Sequence, residues 1–214
     1  MPIIQALVLG IIQGLTEYIP VSSTAHLLLV PWLFGWQYDA TTTFVFTVLI
    51  QWGTLVGVVV YFWRDLLSIV RAIFAGLIQR KPFGSSDARL GWFVILATIP
   101  AVIVGLLFKK YFEQLYTQYA VIAIVMIVAA GLLIAAERFS QKRRALESMT
   151  AKDAAIIGTW QVLALVPGVS RSSATVSGGM LQNFMREPAA RFSFLMSIPA
   201  LLGAGVVAIK DLLD

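Results

Sequence analysis

Apolar residues in this chain run on well past the length at which an amphipathic helix would show a polar face. Runs at 43–63, 90–108, 120–136 and 192–209 approach or reach the roughly 20 apolar residues that cross a bilayer, so each predicts one transmembrane helix. Two further stretches are apolar but interrupted. Residues 3–19 stop at Pro20 and resume over 25–34, and residues 154–166 stop at Pro167 and resume over 172–185. Each arm is short for a full crossing and suits a re-entrant half-helix. The residue before a proline resists the α conformation, so Ile19 and Val166 are the expected ends of the first arms. Ser22, Ser23 and Ser170 then fall where the N-caps of the second arms belong. Backbone freed at such a break is tolerated in a membrane only where protein or a water-filled cavity surrounds it.

The two interrupted stretches repeat each other. Gly10/Gly158, Gln13/Gln161 and Ser22/Ser170 pair at an offset of 148, and Phe46, Leu49, Leu55 and Gly57 match Phe192, Leu195, Leu201 and Gly203 at an offset of 146. Broken apolar segments in matching halves of a membrane chain point to a buried polar site between them. The expected fold is an all-α integral membrane protein, an inverted-topology repeat with two re-entrant helical hairpins (3–34 and 154–185) and about four full transmembrane helices. Residues 1–140 form the first repeat and 150–214 a second, incomplete one. The repeat also predicts counterparts of 90–108 and 120–136 after residue 209, so the chain reads as a truncated or a naturally shortened form.

Composition agrees. Residues are 59% hydrophobic and 13% charged, against about 25% charged in soluble domains. The start lacks the basic n-region of a cleaved signal. With no cysteine, disulfides and thiolate metal sites are excluded. The pI of about 9.7 does not signify nucleic acid, because the basic residues sit in loops between apolar runs. Arg64, Arg71, Arg80, Lys81 and Arg89 occupy 64–89; Arg138, Lys142, Arg143, Arg144 and Lys152 occupy 137–153; only Lys109 and Lys110 occupy 109–119. Basic loops stay in the cytoplasm, which puts 109–119 outside. The first hairpin then enters from outside and the second from inside, and their breaks meet near the midplane.

Ionisable groups inside apolar spans are costly, about 2.5–3.5 kcal/mol for an arginine at mid-helix, and mark function. Here they are Glu17, His26 and Arg171, with Gln13 and Gln161 as amides and Ser22, Ser23, Thr24, Ser170, Ser172, Ser173 and Thr175 around them. Gln13 and Glu17 share a helix face, as do Ser22, Ser23 and His26. His26, the sole histidine, is the one side chain whose ordinary pKa allows proton exchange near neutrality. The run Pro167-Gly-Val-Ser-Arg-Ser-Ser173 reads as an anion site, with helix N–H groups, hydroxyls and a guanidinium fork that suits phosphate. Opposite it stand a carboxylate, hydroxyls and an imidazole, the set that hydrolysis of a phosphate ester or anhydride requires. Any one of these hydroxyls alone would more often bond a neighbouring helix. Their convergence on two breaks decides for a site. A transporter or flippase for phosphate or a phosphorylated lipid is the rival reading, since half-helix N-termini also hold transported anions. Transport, however, needs the Arg171 side alone.

At these same residues, Gln13-x-x-x-Glu17, Pro20-Val-Ser-Ser-Thr-Ala-His26 and Pro167-Gly-Val-Ser-Arg-Ser172, the chain resembles the bacterial undecaprenyl-diphosphatase family, through nearly all of 3–210. The resemblance implies hydrolysis of undecaprenyl diphosphate to the monophosphate and phosphate, which recycles the lipid carrier of cell-wall synthesis and bears on bacitracin resistance. It implies a divalent cation, Mg2+ or Ca2+, and a plasma-membrane site open to the outer face. Carried over by motif, Gln13 and Glu17 hold the metal, Glu17, Ser23, His26 and Arg171 are catalytic, and Ser170 with Arg171 binds phosphate. Ser22, Thr24, Ser172, Ser173 and Thr175 complete the expected substrate contacts. Expected partners are an isoprenoid lipid diphosphate, membrane lipids and, as an option, a second copy of the chain, with no nucleic acid. Ser173 departs from the family, which usually has glycine there. Ser23 as nucleophile and direct attack by water both stay open.

Overall fold

The computed structural model describes residues 1–116 and 118–213. Thr117, in the expected 109–119 loop, and Asp214, the last residue of the expected second repeat, lie outside the described residues. Regular structure among the described residues is helical, apart from one isolated bridge between Arg144 and Phe184. In order come α1 (Ile3–Thr16), α2 (Ser23–Leu33), α3 (Ala40–Tyr61), α4 (Trp63–Ile78), α5 (Ser86–Leu107), α6 (Lys109–Leu115) and α7 (Tyr119–Phe139). A 3-10 turn at Leu146–Ser148 leads into α8 (Ala151–Leu163), α9 (Arg171–Leu181) and α10 (Arg186–Leu213). Among the described residues, three helices are long and apolar enough to cross a membrane: Ser86–Leu107, Tyr119–Phe139 and the Arg186–Val207 part of α10. A fourth span arises if α3 and α4, bent by 76° at Phe62, are taken together. The chain is a multi-pass membrane protein.

Three sequence expectations need correction. The first concerns 64–89, which reads as a charged loop. Most of it is α4, because Leu66, Ile69 and Ile73 recur every three or four residues and pack on α5. A side chain at Gly91 would lie 2.6 Å from both Ile69 and Ile73, so the glycine is what lets α4 lie so close. The 109–119 loop likewise contains the short helix α6. The third correction concerns the broken arms, which end before the residues preceding the prolines, at Thr16 and Leu163. After Leu163 the ladder tightens: the N–H groups of Ala164, Leu165 and Val166 bond carbonyls three residues back. Tightened turns of this kind use up the orphan carbonyls of a helix end before the proline is reached.

Two apolar clusters carry the fold. Ala97 of α5 packs with Ala154 and Ile157 of α8, Met180 of α9, and Phe192 and Met196 of α10. Leu55, Val58, Phe62 and Ile69 of α3–α4 meet Leu195, Ile198 and Leu201 of α10. A smaller group joins Ala25 and Leu28 of α2 to Ile122 of α7. The break between α8 and α9 is thereby held by α5, α7 and α10, while α1, among the described residues, packs mainly on α2 and α3.

Candidate functional site

Two helix starts build the site, and both begin with a strained serine. Ser22 caps α2 at φ 66° and Ser170 caps α9 at φ 67°, each in the left-handed region. That backbone costs a residue with a Cβ about 1–3 kcal/mol and tends to persist at functional sites. In both, the serine Oγ accepts from the N–H three residues on, from Ala25 for Ser22 and from Ser173 for Ser170, at 3.3 Å in each case. The capping hydroxyls serve the orphan donors of the first turn, and the side chains that follow are aimed as a set.

Glu17 joins the two starts. It closes α1 as the C-cap in helical conformation, which lets Gln13 Nε2 donate to its Oε2 at 2.8 Å. Ser23 Oγ donates to the same Oε2 at 2.6 Å. Across the break, Arg171 Nη2 donates to Oε1 at 2.8 Å. The carboxylate is 7% and the guanidinium 13% exposed, so the pair is largely removed from water. Breaking such a pair from one side costs about 3–5 kcal/mol, because the surviving charge is left without a partner. Ser172 Oγ adds a second tie between the breaks, donating to the Ile19 carbonyl at 3.4 Å, and lies 3.0 Å from Ser170 Oγ.

His26 Nδ1 lies 2.8 Å from the Ser22 carbonyl oxygen. A carbonyl only accepts, so Nδ1 carries the proton and Nε2 of the neutral ring is left as a base. Thr24 is half-buried in the same turn. Ser173 is buried, with its N–H on the Ser170 cap. Thr175 sits behind the cap: its hydroxyl donates to the Arg171 carbonyl at 2.8 Å and accepts from Ser193 at 2.6 Å. Gln161, the match of Gln13, faces α5 and donates to the Ala97 carbonyl at 3.4 Å.

Two polar atoms of the site are buried without a protein partner, Arg171 Nη1 and Gln13 Oε1. Buried polar groups are rarely left so, and an orphaned pair of opposite kind, one donor and one acceptor, needs an explanation. Among the described residues no three of His, Cys, Asp or Glu gather to hold a metal. The available oxygen donors are Glu17, Gln13 Oε1 and Ser23 Oγ.

Sequence reasoning missed three supports. Tyr18 lays its ring under Arg171, 5.7 Å from the guanidinium carbon, and donates to the Thr54 carbonyl at 3.3 Å. Cation–π contact at that range favours a fixed guanidinium. Thr54 Oγ1 also accepts from Gln13 at 3.4 Å. Ser193 backs Thr175. For Thr54 and Ser193 the available signal was a hydroxyl inside an unbroken span, and for Tyr18 a phenol beside Glu17 at the first break.

Comparison with known proteins gives the family. The family model described as bacitracin resistance protein BacA matches residues 6–214. A protein of Myxococcus xanthus named undecaprenyl-diphosphatase is 46% identical over 214 residues, which is 100% of this chain and 71% of the relative. Proteins of the same name from Chloroherpeton thalassium and Chlorobium limicola are 48% and 44% identical, each over 96% of this chain and 74% of their own length. With likeness of that depth through both broken segments, this chain belongs to the BacA family of bacitracin resistance proteins.

Proposed function

We propose that the protein hydrolyses undecaprenyl diphosphate to undecaprenyl phosphate and phosphate at the Glu17–Ser23–Arg171 cluster. The observation that carries this reading is the buried junction in which one carboxylate accepts from a serine hydroxyl at 2.6 Å and from an arginine at 2.8 Å, with Arg171 Nη1 unpartnered. An unpartnered guanidinium N–H at a helix N-terminus is a ready donor for a phosphate oxygen. The relatives' name supports the same substrate.

In this reading Arg171 and the first N–H groups of α9 bind the terminal phosphoryl group, and Arg171 shares its charge between Glu17 and the substrate. Ser23 attacks the terminal phosphorus while its proton passes to Glu17 Oε2, already its acceptor. The new Oγ–P bond forms as the P–O bond to the bridging oxygen breaks, and undecaprenyl phosphate leaves. Water then attacks the phosphoserine, its proton taken by His26 Nε2, and Glu17 returns the proton to Ser23 as phosphate departs. Positioned acid–base groups of this kind contribute about 10²–10⁴-fold each. His26 could serve Ser23 by residue type, but the hydroxyl's bond goes to Glu17, which favours the carboxylate as its base.

A divalent cation fits this donor set in part. Glu17, the unpartnered Gln13 Oε1 and Ser23 Oγ are hard oxygens, and Mg2+ is commonly held by one or two carboxylates with phosphate oxygens completing its shell. When bound it would neutralise phosphate charge.

We further propose that the helix pairs α1–α2 and α8–α9 are inverted re-entrant hairpins in a bacterial plasma membrane, with the site open to the outer face. A cleft of about 780 Å³ beside the site, bordered by Gly14, Tyr18, Gly53, Thr54 and Phe194 together with the charged Asp65, Glu187 and Arg191, is the candidate route by which the lipid would reach it. A flippase or carrier is disfavoured, because transport gives Ser23 no reason to bond Glu17. The deciding measurement is phosphate release from undecaprenyl diphosphate by purified protein, with and without chelator. Release that chelator suppresses and Ser23→Ala removes is expected; no release at any divalent-ion concentration would overturn the assignment.

A further inference from the structure

The rest of the protein covers one face of α4, formed by Leu66, Ile69 and Ile73. The path of the chain says where this helix lies. α3 has 22 residues, enough to cross a bilayer alone, and α5 is long and apolar enough to cross back. α4 joins them, so it begins and ends at one surface of the bilayer. Its 16 residues reach about 24 Å, too short to cross and return. The 76° bend at Phe62 instead turns it out of the α3 direction. Its contacts fit a helix laid across the start of α5. Ser68 donates to Asp87 in the first turn of α5, and a side chain at Gly91 in the second turn would meet both Ile69 and Ile73.

The uncovered surface of α4 is divided into two stripes. Trp63, Leu67, Val70, Phe74 and Leu77 recur at steps of four and three, which keeps them on one side of a helix, and they are 41–62% exposed. Arg64, Arg71, Ala75 and Gln79 run along another side, about 100° round from the first, and all are exposed. Arg80 and Lys81 extend that basic stripe past the helix end. The nearby carboxylates are already engaged: Asp65 accepts from Arg191 at 2.6 Å, and Asp87 accepts from Ser68. Among the described residues none of Arg64, Arg71, Arg80 and Lys81 pairs with a carboxylate. Exposed Tyr61 and Trp63 stand at the bend, with the Arg64 guanidinium carbon 5.5 Å from the Trp63 ring centre. Tyrosine and tryptophan gather where hydrocarbon gives way to headgroups.

We infer that α4 lies in the headgroup plane and that Arg64, Arg71, Arg80 and Lys81 form a binding surface for anionic phospholipid. The apolar stripe enters the acyl chains, and the cations meet lipid phosphates. Basic amphipathic helices with Trp, Phe and Leu on one side settle in this way. Each cation close to an anionic surface favours binding by about fivefold. An acidic protein partner would satisfy the cations but would have to displace lipid from the apolar stripe as well; an anionic bilayer meets both demands at once. The lipid acts here as an anchor and not as substrate, so this inference and the phosphatase reading stand or fall separately.

The chain has no cysteine, so spin labels can be placed singly. Labels at Phe74→Cys and Ala75→Cys, adjacent residues on the two stripes, are read in nanodiscs of equal parts phosphatidylcholine and phosphatidylglycerol. The Phe74→Cys label should be relaxed by oxygen dissolved in the lipid, and the Ala75→Cys label by a water-soluble nickel chelate. Both labels in hydrocarbon, as a span continued from α3 would require, or both in water would overturn the placement. Mass spectrometry of the intact protein released from the same nanodiscs then counts the lipids it keeps. The unaltered protein should retain phosphatidylglycerol over phosphatidylcholine. Arg71→Gln should lower that preference about fivefold, and Arg64→Gln/Arg71→Gln/Arg80→Gln/Lys81→Gln should abolish it. Arg138→Gln/Arg143→Gln, in the other basic loop, should leave most of it. Equal retention of the two lipids by the unaltered protein, a preference that survives the fourfold change, or an equal loss with Arg138→Gln/Arg143→Gln would each overturn the lipid surface.

Discussion

The second hairpin, α8–α9, and the first, α1–α2, carry matched residues but live in different surroundings. Ser172, Ser173, Thr175 and Ser177 of α9 are at most 2% exposed, whereas Ile3, Ile4, Leu7, Ile11 and Leu15 of α1 are 63–79% exposed. The buried hairpin holds the guanidinium and the α9 start capped by Ser170. The exposed one holds the carboxylate, the hydroxyl and the imidazole. Recognition of a fixed charge profits from rigid surroundings, since preorganised donors need no reorganisation when charge develops. The exposure of the first hairpin lies on the apolar face of α1, however, and not at the polar cluster: the Glu17 carboxylate is 7% exposed and the Arg171 guanidinium 13%.

The largest effect should come from removing the junction between the halves. Glu17→Gln keeps the shape but leaves Arg171 without a counter-charge and Ser23 without a base, so turnover of the lipid diphosphate should fall about 10³-fold or more. A steady-state assay checks it, and near-normal activity would mean that Glu17 only pairs Arg171. Arg171→Lys should lower turnover about 10²-fold, because one point charge cannot bond Glu17 and a phosphate oxygen as a planar fork does. Equal activity of the lysine variant would reduce the guanidinium to simple charge.

Stability separates the halves more directly. Gly158→Ala drives a methyl into the Ala97 backbone and should destabilise the protein by about 1–3 kcal/mol. Gly10→Ala meets only Ile50 at 3.9 Å, and alanine's better helix propensity should leave stability unchanged or raised by up to about 1 kcal/mol. Chemical denaturation in a mild detergent reads both. Similar losses at the two positions would mean that α1 and α8 are equally enclosed.

A smaller effect tests how the second hairpin is anchored. Arg144 Nη1 and Nη2 donate to the two oxygens of Asp153 at 2.9 and 2.6 Å, and Asp153 also closes a capping box with Thr150 at the start of α8. Burial pushes the Asp153 carboxyl up, but the bonds from Arg144 and Thr150 outweigh it and hold the group below its usual range. A depressed carboxyl stabilises above its unfolded value, near 3.9, and that contribution is lost as pH falls through the folded value. Hydrogen exchange in 140–150 should therefore accelerate on acidification below about pH 4. Asp153→Ala should cost about 1 kcal/mol at neutral pH, as loss of a cap does, and abolish the pH response.

Legibility differed by level. Spans and breaks were plain, because a bilayer demands long apolar runs and proline interrupts them. α4 was hidden, since its charges drew the eye and its three- and four-residue apolar spacing was read as loop. Glu17, Ser23 and Arg171 could be named from residue type at the breaks. Their order of bonding could not, and Thr54 and Ser193 carry no signal of their own because hydroxyls within unbroken spans are usually structural, while Tyr18 at the break reads as an aromatic of the membrane interface.

By itself the sequence determined the membrane class, the two broken segments, their internal match and the polar groups that lie at them. All of these follow from local chain physics: apolar length, proline geometry and the cost of charge in hydrocarbon. Only the tertiary structure decided that Arg171 at the second break donates to Glu17 at the first. It also decided that Gly158 is filled by α5 while Gly10 lies open. Both depend on distances between residues far apart in the chain, as Glu17 and Arg171 are by 154 positions, and no local pattern encodes them.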